Sequence, residues 1–177
     1  MDLADQSSLA RGYTPRVPAP DTSATPCVRR ARAGDLDDIA RFNRAMALET
    51  EQLALDPERL RRGVRCALAD EGRGVYRIAE LDGRACGCLL VTREWSDWRN
   101  GWFWWIQSVY VEPELRRRGV YRALYRSVLD EARADGGVCG LRLYVDEANR
   151  PAQEVYRRLG MERTRYALFE VDFVLAR

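Results

Sequence analysis

The order of elements readable from the sequence specifies an α/β protein, an α+β sandwich in which a central mixed, mostly antiparallel sheet is flanked by helices. Three observations lead there. Apolar residues recur at helical spacing in four separate segments. Strand-like runs are joined by Asp82-Gly83 and Asn100-Gly101, the dipeptides favoured in tight hairpins. A helical stretch separates the strand ending at Val111 from one beginning at Leu141, and such a crossover makes that pair parallel.

The chain has 177 residues, the length of a single domain, with 46% hydrophobic and 32% charged residues, a balance that builds a core. Every basic residue is Arg, His is absent, and the formal charge is only +2. So balanced a charge does not demand a nucleic acid partner, and none is expected. The lack of His removes Ser/His and Cys/His catalytic pairs and His-based metal sites. Five cysteines (Cys27, Cys66, Cys86, Cys88 and Cys139) follow no disulfide framework and point to a reducing cytoplasm. No apolar stretch reaches membrane length and no signal region follows the basic residues of the N-terminus, so no membrane partner is expected.

Residues 1–27 form the first segment, holding Pro15, Pro18, Pro20 and Pro26 among small polar residues; they read as a disordered tail before a domain over 28–177. A short strand is expected over 28–31. Gly34 and Asp35 open a helix with Leu36, Ile39, Ala40 and Met46 on one face, and Asp56-Pro57 starts a second carrying Leu60, Val64, Ala67 and Leu68. Strands follow over 75–81, 85–93 and 102–111. Tyr121, Leu124, Tyr125, Val128, Leu129 and Ala132 then mark a helix that Gly136-Gly137 ends. A strand over 141–145, a helix opened by Pro151 and closed by Gly160, and two last strands over 161–165 and 167–175 complete the order.

The segment from Ser108 to Leu124 carries the chemistry. A strand ends at Val111, Pro113 cannot continue its ladder, and an arginine-rich turn with Gly119 enters a helix. Amides at a helix start, with the dipole and neighbouring guanidinium groups, form an anion site suited to a phosphate or pyrophosphate. Arg116, Gly119 and Tyr121 resemble the acyl-CoA-binding motif of the GNAT N-acetyltransferase superfamily: Gln or Arg, two residues, Gly, one residue, then Gly or Ala. Tyr121 departs from the small residue of that pattern; either its side chain points away or the loop is shifted. Asn149, Pro151, Tyr156 and Leu159-Gly160-Met161 resemble the later motif of the same family, in the same order.

The resemblance covers residues 28–175 and implies a GNAT fold, acetyl-CoA as co-substrate, no metal, and an acyltransferase acting on a small-molecule or peptide amine as monomer or homodimer. It implies that Val109, Tyr110, Val111, Arg116, Arg117, Arg118, Gly119, Val120, Tyr121, Asn149 and Tyr156 contact the cofactor. It further implies that the pantetheine arm lies between residues 108–111 and 141–145, that an amide near Val109 stabilises the oxyanion, and that Tyr156 protonates the thiolate. On its apolar helix face Tyr156 is equally readable as core, and Asn149 as a helix cap. The base is a carboxylate, a water chain or no protein group, with Glu49 and Glu51 as candidates. The hairpin tryptophans, Trp95, Trp98, Trp102, Trp104 and Trp105, divide between core and an acceptor pocket or dimer contact. Cys86 and Cys88, two apart, are expected on one strand face. The alternative function is a non-catalytic acyl-CoA sensor or docking module on the same fold.

Overall fold

The computed structural model describes residues 25–174, so the expected tail lies almost wholly outside the described residues. The order is β1 (Cys27–Arg30), α1 (Leu36–Glu51), α2 (Pro57–Ala69), β2 (Val75–Leu81), β3 (Arg84–Ser96), β4 (Gly101–Val111), α3 (Val120–Ala134), β5 (Val138–Leu143) and α4 (Arg150–Arg158). The strands form one sheet in sequence order, antiparallel from β1 to β4, with β5 parallel to β4. The parallel step follows from the α3 crossover, as the sequence pattern requires.

Local chemistry accounts for the boundaries. Asp56 caps α2 by accepting from the Arg59 amide at 2.7 Å, with Pro57 in the first turn. Asp82 and Gly83 are both left-handed, with φ of 51° and 74°, as a type I′ turn demands. The second hairpin is not a two-residue turn. Residues 97–99 make a single 3-10 turn and left-handed Asn100 closes it, so β3 runs on to Ser96 and includes Trp95. The strand expected over 141–145 begins earlier, at Val138, directly after Gly136-Gly137.

The sheet has a core on each face. Ile39 and Phe42 of α1 and Val64 of α2 cover Tyr76, Ile78, Cys88 and Tyr110. On the opposite face, Val120, Leu124 and Val128 of α3 cover Ala79, Leu89, Val91, Trp104 and Ile106. Cys86 and Cys88 belong to different cores, contrary to the expected shared face. A register shift between Ala79 and Glu80 places Cys86 in a bulge, and the extra residue turns its side chain over.

The two last strands are also absent among the described residues: 161–174 carry no strand. Met161 packs against the α3 core, and Arg163 then pairs with Glu147 of the preceding loop at 2.6 Å. Beyond that pair the chain makes no ladder with the edge strand β5, and Phe169 and Phe173 are over 90% exposed. Alternation supplies a face to bury; a strand also needs an edge to pair with.

One charge is deeply buried. Arg77 of β2 lies beneath α3 and pairs with Glu131, which also holds Arg30. Among the described residues two of its guanidinium nitrogens, Nε and Nη1, have no hydrogen-bond partner, so the Glu131 bond is its main compensation. Burial pushes the Glu131 carboxyl up, but the bonds and charges of Arg30 and Arg77 outweigh it and hold it below the usual range. A depressed carboxylate contributes its stability above its unfolded pKa, about 4.3, and loses it as pH falls through the folded value. Glu131→Ala is expected to destabilise the protein by about 2 to 3 kcal/mol in urea unfolding at neutral pH, and Arg77→Met with Glu131→Leu by less. The Glu131→Ala deficit should shrink as the medium is acidified below the carboxylate range.

Candidate active site

The parallel pairing of β4 with β5 ends at Ile106 and Leu143, while β4 continues to Val111 beside β3. Just past the last parallel pair, Ser108 is left-handed (φ 50°) and the β3 register shifts between Cys88 and Leu90. A wedge therefore opens between the second half of β4 and the chain after β5. The chain leaving β4 is pinned at its first residue: the Glu112 amide donates to the Cys86 carbonyl at 3.0 Å. Its carboxylate, 7% exposed as a residue, accepts from Arg41 at 2.7 Å and Arg84 at 2.5 Å.

From this anchor Pro113–Leu115 make one 3-10 turn, Arg117 is left-handed at φ 66°, and Gly119 is left-handed at φ 83° as it caps α3. Glycine brings no side-chain cap, so the first-turn amides of α3 face outward for an anion to take. Arg116 is preset beside them. Its Nε donates to the Val111 carbonyl at 3.0 Å and its two Nη groups to Glu49 at 2.7 and 2.6 Å. The Arg116 hydrogen bonds hold the Glu49 carboxyl below its ordinary value despite partial burial. Glu49 is thus the ion-pair partner of the anion loop. Glu51, exposed at the end of α1, stands apart from that pair.

Tyr121 points away from the loop. Its ring packs against the α3 core, edge-on to Tyr156 at 5.7 Å and tilted to Tyr125 at 6.3 Å. Burial raises its pKa strongly, and its hydroxyl has no partner among the described residues. The ring therefore leaves the helix start open and joins α3 to α4. Tyr156 is half-buried there, its phenol pushed up by burial. Asn149 caps α4, its Oδ1 accepting from the Ala152 amide at 3.1 Å. Gln153, itself buried, donates to the Asp146 and Glu147 carbonyls at 3.1 and 3.0 Å and so shapes the turn after β5.

Val109, Val111 and Val120 turn toward the α3 core, and Tyr110 stacks on Phe42 at 5.5 Å in the other. Among the tryptophans only Trp104 is core. Trp95 and Trp102 meet edge-on at 5.0 Å, Trp98 is exposed, and Trp105 stacks on Tyr144 at 4.5 Å while donating to Glu94 at 2.5 Å. Sequence reasoning missed Glu112 as the loop anchor, although it had a faint signal, an acid fixed in place by the following Pro113.

The parallel pair of this α/β domain ends close to a helix start preceded by Arg116, Arg117 and Arg118, the layout that the motif resemblance implies for an acyltransferase. The profile of the Acetyltransferase (GNAT) family matches residues 37–161, and the chain belongs to that family, a family of acetyl-CoA-dependent acyltransferases. It is similar to a thialysine N-epsilon-acetyltransferase of Bos taurus, 29% identical over 148 residues, which are 76% of this chain and 83% of the relative. It is also similar to a mycothiol acetyltransferase of Thermomonospora curvata, 36% identical over 91 residues, 51% of this chain but only 28% of that protein's length. Among solved structures, a possible acetyltransferase of Clostridium difficile 630 superposes with a TM-score of 0.78 at 39% identity, covering 85% of this chain and 99% of that one. An aminoglycoside N-acetyltransferase solved with CoA shares the fold at 18% identity, with a TM-score of 0.70 over 92% of this chain and 100% of that one. Among the described residues no helix is long and apolar enough to cross a membrane, and no group of three or more His, Cys, Asp or Glu could hold a metal ion.

The cap at Asn149 can be separated from any contact with a ligand. Asn149→Ala should lower stability by about 1 kcal/mol in thermal or urea unfolding, and Asn149→Asp, which keeps the acceptor, should retain most of it.

Proposed function

We propose that this chain moves the acetyl group of acetyl-CoA to a small-molecule primary amine by direct attack in a ternary complex. One observation carries the reading: β4 and β5 part at the level of the Ser108 bulge, one short loop before the arginine-rich start of α3. In this reading the diphosphate lies against the amides of Gly119, Val120 and Tyr121 and the guanidinium groups of Arg116, Arg117 and Arg118. The pantetheine arm enters the wedge along the backbone of Val109, Tyr110 and Val111, with the loop at Asn149 on its other side. The names of the two curated relatives, both acetyltransferases, support acetyl transfer, and thialysine supports an amine as acceptor.

The amine nitrogen attacks the thioester carbonyl, and the Val109 amide donates to the oxygen as it gains charge. As the tetrahedral centre collapses the C–S bond breaks, the N–C bond stays, and Tyr156 gives its proton to the departing thiolate. Burial holds the Tyr156 phenol protonated throughout the neutral range, so the acid is in place before the thiolate forms. Glu49 is committed to Arg116. The amine therefore loses its proton to water at the open mouth of the wedge.

Release of CoA thiol in the presence of acetyl-CoA and a panel of small amines tests the reading directly. Tyr156→Phe should lower kcat by about 100-fold while the Kd for acetyl-CoA changes little; unaltered kcat would remove Tyr156 from the mechanism. With the phenol pKa raised, the wild-type rate should show no alkaline decline below about pH 10. Glu49→Gln releases Arg116 for the diphosphate and should tighten CoA binding about two- to fivefold at low salt, read by calorimetry; weaker binding would show that Glu49 orients the arginine rather than competing for it.

A further inference from the structure

We infer that Tyr121 is a positioning residue of the transfer centre: its ring, set edge-on against Tyr156 in the seam between α3 and α4, holds the proposed acid in one place. The inference rests on the role proposed for Tyr156 and adds the contact that fixes where its hydroxyl stands.

The motif that residues 116–121 resemble ends on Gly or Ala, and this chain puts a whole aromatic ring there. Tyr121 is the second residue of α3, and its side chain turns away from the loop into the core. Tyr121, Leu159 and Met161 all pack against the same buried cluster, so the start of α3 and the end of α4 share one layer. The rings of Tyr121 and Tyr156 have centroids 5.7 Å apart at an interplanar angle of 67°, the edge-to-face arrangement in which aromatic pairs attract. Tyr125, four residues further along α3, is buried and lies 6.3 Å from the Tyr121 ring, which it backs from the same helix face.

The Tyr121 hydroxyl is buried and has no hydrogen-bond partner among the described residues. It secures nothing through its oxygen, so what the residue contributes is the shape of its ring. Burial alone raises the Tyr156 phenol, and no hydrogen bond from the described residues contributes. A phenol without such a bond is aimed by what packs against it. The Asn149 cap and the bonds from Gln153 to the Asp146 and Glu147 carbonyls fix the start of α4; Tyr156 lies one turn later and meets Tyr121. One residue then serves both ends of the cofactor. In the proposed reaction its amide faces the diphosphate, and its ring steadies the group that meets the thiolate.

The test compares Tyr121→Ala, which restores the small residue of the motif, with Tyr121→Phe, which keeps the ring edge and discards the unpartnered hydroxyl. Tyr121→Ala should lower kcat about 10-fold and change the acetyl-CoA Kd and the amine KM by less than about twofold, because the amide at 121 is retained and only the aim of the acid is lost. Tyr121→Phe should recover most of that loss; if it is as slow as Tyr121→Ala, the effect belongs to the hydroxyl and the proposal fails. In a Tyr156→Phe background the acid is already gone, so Tyr121→Ala should change kcat there by less than about twofold. Equal losses in both backgrounds, or wild-type kcat in Tyr121→Ala alone, would overturn the proposal. Should Tyr121→Ala not fold, Tyr121→Leu takes its place: it fills part of the space without a ring edge and should show the same kcat loss. Amide hydrogen exchange separates this proposal from the functional reading. The Leu159 and Met161 amides donate to the Tyr156 carbonyl at 3.1 and 3.0 Å, so their exchange reports how firmly this turn is held. Faster exchange in Tyr121→Ala than in Tyr121→Phe supports the contact even in a protein that releases no thiol, and equal exchange overturns it even in an active enzyme.

Discussion

The molecule depends on β4 being unable to satisfy both neighbours along its whole length. It pairs with β3 from end to end but with β5 only through Ile106, because the bulge at Ser108 turns the ladder just beyond. Backbone groups that leave a ladder must find other partners, and buried ones cost roughly 1 to 3 kcal/mol each when they do not. A wedge between β4 and the edge strand β5 is therefore a place where a ligand can complete the backbone hydrogen bonding. Everything placed around it, from the Glu112 anchor to the glycine cap of α3, keeps that opening in one shape.

Arginine supplies all the positive charge of the chain, and its geometry shows in the site. A guanidinium can bind a backbone carbonyl through Nε and a carboxylate through its two Nη groups at once, as Arg116 does with Val111 and Glu49. An ammonium has no such fork. Glu112 uses the same property in reverse, one carboxylate joining Arg41 of α1 to Arg84 of β3 beneath the loop. These partly exposed pairs stabilise modestly in water. In Arg116 the two bonds have different effects: the Val111 carbonyl fixes where the guanidinium stands, while Glu49 occupies its Nη groups until an anion competes for them.

Much of this architecture was legible in the sequence, and the exceptions share a cause. Asp56-Pro57, Asp82-Gly83 and the Gly119 turn act through their own backbones, so local residues suffice to read them. Bulges do not. Whether Cys86 and Cys88 share a face depends on the register of β2, and the bulge that sets Ser108 and Val109 against the single residue Leu89 depends on the register of β3, a strand earlier in the chain. The last strands failed for a related reason: Tyr166 to Phe173 alternate as a strand should, but pairing is a property of two segments. Tyr121 sits where a small residue was expected beside the loop. Its ring turns into the seam with α4, a choice made by the space beside Tyr125 and Tyr156 and invisible in a linear motif.

The two cores have separate consequences for chemistry. The α3 core supports the helix start that follows the arginine-rich loop and the seam where Tyr156 sits, so in the proposed reaction it is the layer behind the cofactor and the departing thiolate. The α1 and α2 core meets the loop from the other side: it contains Tyr110, which stacks on Phe42 and lies under the Arg116 guanidinium, and Cys88, whose Sγ donates to the Ser108 carbonyl at 3.8 Å. With no histidine and with Glu49 in an ion pair, the chain has little to offer as a base, so rate must come from alignment more than from proton transfer. An enzyme of that kind is sensitive to the stiffness of the layer behind its site.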